Sequence, residues 1–137
     1  MLQLSPHNAF LGAQLETIDS HELIVALPLR EEFIGNAQDR TLHGGVVTAM
    51  LDTTCALAVM AKLGGPVRIA TLDLRIDYLK PIHQSEKLFA RCSCYKQTQQ
   101  VAFVQGVAFT RDDNGSEDEV AKATGTFMIQ NARGDGV

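Results

Sequence analysis

The stretch Leu42-His43-Gly44-Gly45-Val46-Val47-Thr48-Ala49-Met50-Leu51-Asp52 decides how this chain is read. It opens a run from Gly44 to Leu63 that is apolar almost throughout, with Asp52 its only charge before Lys62. The apolar positions fall all the way round a 3.6-residue turn, and Gly64-Gly65-Pro66 closes the run. The expectation is a long helix buried on most sides. Its length approaches the ~18 residues of a membrane span. Asp52, Thr48, Thr53, Thr54 and the amphipathic flanks argue for the core helix of a soluble protein instead.

The flanking sequence carries a different period. Ser5-Pro6 reads as an N-cap with proline at the first helical position, opening a short helix toward Leu11. Strand-like runs cover 13–18 and 22–29 around an Asp19-Ser20 turn, and the polar stretch 30–42 reads as a loop. Beyond the helix, TLDLRIDY alternates strictly: Leu72, Leu74, Ile76 and Tyr78 face one way, and Asp73, Arg75 and Asp77 the other. Runs at 87–96, 101–110 and 119–129 follow, joined at 97–100 and 112–116 by hairpin-type loops, and NARGDGV reads as a frayed tail. A strand pair, one helix and four strands without strand–helix alternation exclude a parallel Rossmann-like sheet. They predict an α+β fold, an antiparallel sheet wrapped around one long central helix. One helix cannot cover six strands in so small a chain, so the sheet edges are expected to pair with a second copy.

Composition narrows the function classes. The 137 residues fit a single domain, 1–137, with 45% hydrophobic and 20% charged residues. The net charge of -4 and scattered basic residues exclude a nucleic-acid partner. Three cysteines (Cys55, Cys92, Cys94) with no CxxC pair support neither a disulfide scaffold nor a zinc site, and no metal or cofactor is expected. The N-terminus lacks a basic region followed by an apolar run, so no signal peptide is expected and the cytoplasm is the default location.

Asp52 is the residue that calls for chemistry. An unpaired carboxylate buried in an apolar helix costs several kcal/mol, so it has either a structural partner or a task, and perturbed carboxylates cluster at functional sites. His43-Gly44-Gly45 lies where the helix begins. There the free N–H groups and the positive dipole end suit an oxyanion, and glycine permits close approach. Relief of crowding at a loop-to-helix junction is the plainer role for the two glycines. Gly44 and Asp52 are eight residues apart, about 12 Å along one helix. A base or nucleophile and an oxyanion donor must both lie within ~3 Å of one carbonyl group. If both act, Gly44 of one subunit must meet Asp52 of another.

The string LHGGVVTAMLDTTCALA resembles the active-site helix of the PaaI-type hotdog acyl-CoA thioesterases, of the 4-hydroxybenzoyl-CoA thioesterase-like superfamily. In these, HGG is followed by an apolar run and an Asp nine residues after the His, as at His43 and Asp52. TLDLRIDYLKPI is similar to that family's first long strand after the helix, and the likeness extends over about 35–129. The resemblance implies a hotdog fold and a homo-oligomer, a dimer or a dimer of dimers. It implies hydrolysis of an acyl-CoA by Asp52 as base or nucleophile, with the Gly44 N–H of the facing subunit on the carbonyl oxygen. His43 and Gly45 would shape that corner, and no cofactor is needed. Many relatives carry an Asn six residues before the His. That position is Ala37 here, and Asn36, one residue earlier, is the candidate substitute. Thr71 matches a hydroxyl that often positions water. Strict alternation sets it opposite Leu72, so its role requires a bend, a bulge or a place at a subunit seam.

Other residues are read more plainly. His7, His21 and His83 are surface residues, Cys55 is a small buried hydrophobe, and no GxSxG elbow or phosphate loop occurs. Arg68, Arg75, Lys80, Arg91 and Lys96 are candidate contacts to CoA phosphates, although a solvated strand face is the commoner state. Two other functions fit the sequence less well. Enoyl-CoA hydration would place an Asp and a His five residues apart, whereas Leu57 follows Asp52 and Ile82 follows Asp77 at that spacing. A non-catalytic acyl-CoA sensor would have little need of Asp52 in an apolar helix.

Overall fold

The computed structural model describes residues 5–19 and 22–130. His21, half of the Asp19-Ser20 turn and the C-terminal tail of the sequence reading lie outside them. In chain order the elements are α1 (Pro6–Leu11), β1 (Gln14–Ile18), β2 (Leu23–Leu27), β3 (Ile34–Asn36), β4 (Thr41–Leu42), α2 (Gly44–Leu63), β5 (Arg68–Tyr78), β6 (Leu88–Gln97), β7 (Val101–Arg111) and β8 (Glu117–Gln130). Six strands form one antiparallel sheet in the order β1-β2-β6-β7-β8-β5, leaving β1 and β5 at its edges. With α2 lying across one face, this is the hotdog architecture that the resemblance implied.

Both helix ends form as the sequence dictates. Ser5 caps α1 through its hydroxyl, and Gly12 ends it in the left-handed conformation. Gly64 does the same for α2 at φ 86°. The stretch 30–42 is more than a loop. A single 3-10 turn over Glu31–Phe33 leads into β3, which pairs with β4 to form a two-stranded ribbon. Polarity concealed it, because Phe33 alone is buried there and the pairing lacks an alternating apolar face.

The core lies between α2 and the inner sheet face. Val47, Met50, Leu51, Thr54, Cys55, Ala58 and Val59 supply the helix side, and Val25, Leu88, Ala90, Cys92, Ala102, Val104 and Phe127 belong to the strands facing it. Cys55 is buried as expected, but it stands beside Cys92 with 3.4 Å between the sulfurs. Gly106 makes room for this pair: a β-carbon there would lie 2.6 Å from the Cys92 sulfur. All three cysteines are free thiols. The Cys92 thiol is held well above the ordinary thiol range, first by its hydrogen bond with Cys55 and then by burial. The outer face carries its own small apolar layer, Phe89 stacked on Phe109 at 5.4 Å, covered by the guanidinium groups of Arg91 and Arg111.

Two expectations need correction. The helix is not buried on most sides. It is the described helix long and apolar enough to span a membrane, yet its packed residues form one stripe, and Thr48, Asp52 and Ala56 stay half-buried along another. The apolar sequence round that stripe is therefore only partly used within one chain. The alternation of β5 also breaks. Thr71 pairs with Phe127 and Asp73 with Thr126, so Leu72 is an extra residue in a β-bulge and is 52% exposed. Leu74 and Ile76 keep the inner face, as expected, and Leu72 leaves it.

Candidate active site

The bulge is what delivers Thr71 to the site. Inserting one residue resets the period-two alternation, so Thr71 shares the inner face with Leu74 and Ile76. Its hydroxyl donates to Asp52 Oδ1 at 2.9 Å. Asp52 itself is half-buried, so the full cost of an unpaired buried carboxylate does not arise. Oδ1 is held by this one bond, and Oδ2 meets neither a donor nor a cation among the described residues. A fixed carboxylate with one free oxygen can accept a proton from water or attack a carbonyl carbon.

The glycine corner is built at the other end of β5. His43 is the N-cap of α2, with φ -67° and ψ 132°, and its Nδ1 accepts the Gly45 N–H at 2.9 Å. The neutral ring then carries its proton on Nε2. The His43 carbonyl accepts the Val46 N–H at 3.0 Å, and the His43 N–H donates to the Phe33 carbonyl at 2.9 Å. Of the first N–H groups of the helix, those of Gly45 and Val46 are engaged, and that of Gly44 meets no acceptor among the described residues. Gly44 is thus the free donor at a positive helix end. Gly45 is a structural member of the cap: a β-carbon on it would lie 2.9 Å from His43 Nδ1.

Gly35 supports this corner from behind. A β-carbon there would fall 2.7 Å from His43 Cα and 2.9 Å from its backbone nitrogen, so β3 can lie against the cap only as glycine. Asn36 is exposed, and its Oδ1 accepts the Gln38 N–H at 2.9 Å, closing the turn between β3 and β4. Within one chain it reaches neither His43, Gly44 nor Asp52 by hydrogen bond.

Sequence reasoning missed Tyr78 and Thr48. The Tyr78 hydroxyl donates to the Gly44 carbonyl at 3.0 Å and also meets the Thr48 hydroxyl. The signal was present in both. Tyr78 has a polar tip on the face assigned to the core, and Thr48 lies one turn after Gly44 on the same helix face. Among the candidate phosphate contacts, Arg75 pairs with Asp77, Lys80 with Asp118, and Arg91 with Glu22 and Glu117. Arg68 and Lys96 meet no carboxylate among the described residues. His7 is exposed, whereas His83 is half-buried and bonded to Ser85 at 2.8 Å.

Residues 40–117 match the thioesterase superfamily, a span that includes α2 and β5 through β7, and the chain belongs to that family. It is similar over 137 aligned positions to the medium/long-chain acyl-CoA thioesterase YigI of Escherichia coli (strain K12). The identity is 28%, with 90% of this chain and 85% of the relative covered. A solved protein from Pseudomonas aeruginosa is 33% identical, with a TM-score of 0.77 over 90% of this chain and 89% of its own. A thioesterase family protein from Silicibacter pomeroyi, 23% identical, shares the fold with a TM-score of 0.79 over 91% of this chain and 89% of its own. By class, the chain is a thioester hydrolase.

Proposed function

We propose that the protein hydrolyses acyl-CoA thioesters to the free acid and CoA in a site shared by two copies of the chain. The observation that carries this reading is the pair of arrangements on one edge strand: Asp52 fixed by Thr71 at one end, and the free Gly44 N–H beside Tyr78 at the other. β5 is an 11-residue edge whose outer side pairs with no strand among the described residues, a surface suited to another strand. Two such strands pairing antiparallel about a two-fold near Leu74 and Arg75 would set the Thr71 end of one against the Tyr78 end of the other. This pairing would bring the Gly44 N–H of the partner subunit to the carboxylate that is ~12 Å away within one helix.

In that site Asp52 acts through Oδ2, either by taking a proton from the attacking water or by attacking the thioester carbon itself, in which case water then cleaves the resulting mixed anhydride to release the free acid and restore the carboxylate. The Gly44 N–H, strengthened by the helix dipole, stabilises the negative oxygen that forms, and CoA leaves as the thiolate and is protonated. The half-buried stripe of α2 would lie toward the acyl chain. A panel spanning medium and long chains is indicated by the name of the Escherichia coli relative.

The test is thiol release from that panel, wild type beside Asp52→Asn. The expected loss is at least ~100-fold with the fold intact. Equal rates would remove Asp52 from the mechanism. Sharing is tested by mixing two inactive proteins, Asp52→Asn and Gly44→Pro. Proline suits the first helical position, and the extended His43 before it is compatible, so the substitution deletes the N–H with little strain. Mixed dimers retain one complete site and should regain part of the wild-type rate. No recovery after subunit exchange would place both groups within one chain.

A further inference from the structure

Two hydroxyls at the N-terminal corner of α2 have no part in the reaction proposed above. The Tyr78 ring lies over Gly44, where an added β-carbon would sit 3.6 Å from Cε1 and 3.7 Å from Cζ and Oη. The single Tyr78 O–H donates to the Gly44 carbonyl at 3.0 Å. Its oxygen can then accept from Thr48, whose own Oγ1 stands 3.3 Å from the same carbonyl. At the other end of this peptide unit, the Gly45 N–H is taken by His43 Nδ1 at 2.9 Å. The peptide joining Gly44 to Gly45 is therefore gripped by its carbonyl and by its N–H.

Such a grip has a physical purpose at this position. Two adjacent glycines lack the β-carbons that would confine their dihedrals, so the first turn of α2 has more backbone freedom than any other pair of residues would give it. An oxyanion donor contributes most when it is already aimed before the negative charge develops. The free Gly44 N–H is separated from the gripped peptide by one α-carbon, and rotation there would swing it off target. Packing alone would not need the hydroxyl, since a phenylalanine ring would cover Gly44 equally well.

The geometry points to Tyr78 as a positioning residue for the reaction, supported by Thr48, acting through the Gly44–Gly45 peptide to aim the Gly44 N–H. This assignment rests on the reading of that N–H as the oxyanion donor. It places the effect of the hydroxyl on the transition state, where the oxyanion exists, and leaves ground-state binding unaltered.

The experiment measures kcat and KM for acyl-CoA hydrolysis, the affinity for a non-hydrolysable acyl-CoA thioether, and Tm, in wild type, Tyr78→Phe, Thr48→Val and Thr48→Ser. Tyr78→Phe should lower kcat about 10-fold while KM and thioether affinity stay within about two-fold. Thr48→Val should lower kcat by about three-fold in the same manner, and Thr48→Ser, which keeps the hydroxyl, should restore it. If Tyr78→Phe fails to fold, the two Thr48 variants carry the same test. Wild-type kcat in Tyr78→Phe, or a loss residing wholly in KM, overturns the assignment. A Gly44→Pro protein run alongside separates the failures, because full activity in that variant would sink the underlying reading of the Gly44 N–H instead.

Discussion

The two groups of α2 proposed to act on the thioester are held in contrasting ways. At the helix start the backbone around the Gly44 N–H is engaged on both sides: the His43 N–H, carbonyl and Nδ1 by Phe33, Val46 and Gly45, and the Gly44 carbonyl by Tyr78. Eight residues on, the Asp52 side chain is held, among the described residues, by the single bond from Thr71. The difference follows from chemistry. A backbone N–H has no side chain to aim it, so its direction must be imposed by the peptides on either side. A carboxylate that must move a proton or form a bond keeps its second oxygen free.

The comparison can be broken at its stiffer end first. Gly44→Pro deletes the donor while preserving the helix start, and kcat should fall about 100-fold or more, the scale of one lost oxyanion contact. Thiol release measures it. A Gly44→Pro protein of wild-type rate would mean that the corner aims nothing. Gly35→Ala perturbs the same corner from outside: its β-carbon meets the His43 backbone, which cannot yield as a flexible side chain would. A destabilisation of about 1–3 kcal/mol is expected, with activity falling alongside, and thermal unfolding with parallel assays would show it. Unchanged stability would mean that β3 does not brace the cap.

At the looser end, Thr71→Val removes the only side-chain hydrogen bond to Asp52 among the described residues and should lower kcat about 10-fold, with Thr71→Ser recovering most of it. An undiminished Thr71→Val would show that the carboxylate is fixed by something else. The smallest effect concerns neither end. The Cys92 thiol is raised in the folded state, so the stability it contributes is complete below the unfolded thiol value of about 8.5 and is lost as pH rises beyond it. Denaturant midpoints should decline above that pH more steeply in wild type than in Cys92→Ala. Parallel declines would leave the thiol pair without a part in alkaline stability.

Much of this was legible in the chain. The helix from Gly44 to Leu63 was marked at both ends by glycine and by its nearly continuous apolar run, and the β5 to β8 strands by alternation and turn residues. His43-Gly44-Gly45 as a helix start with free N–H groups and Asp52 as the exceptional carboxylate followed from residue type and position, whereas the capping of that start by His43 came from the structure. Thr71 was named with the condition of a bend, a bulge or a place at a subunit seam, and the structure supplies a bulge, at Leu72. Asn36 was legible only as a candidate, and within one chain it closes a turn. The β3–β4 ribbon was not legible, because its short strands bury too little to leave a pattern.

The amino-acid order alone determined the class of fold, the two groups on which the proposed reaction rests, the Asp52 carboxylate and the Gly44 N–H, and the ~12 Å of helix between them, since these depend on local periodicity and fixed helical rise. Tertiary structure decided the rest. Which strands border the sheet, how one inserted residue turns Thr71 inward, that Tyr78 reaches back 34 residues to Gly44, and that Gly35 must lack a side chain all arise from contacts between segments distant in the chain. Such contacts are fixed by how the segments pack in three dimensions, and no local period records them.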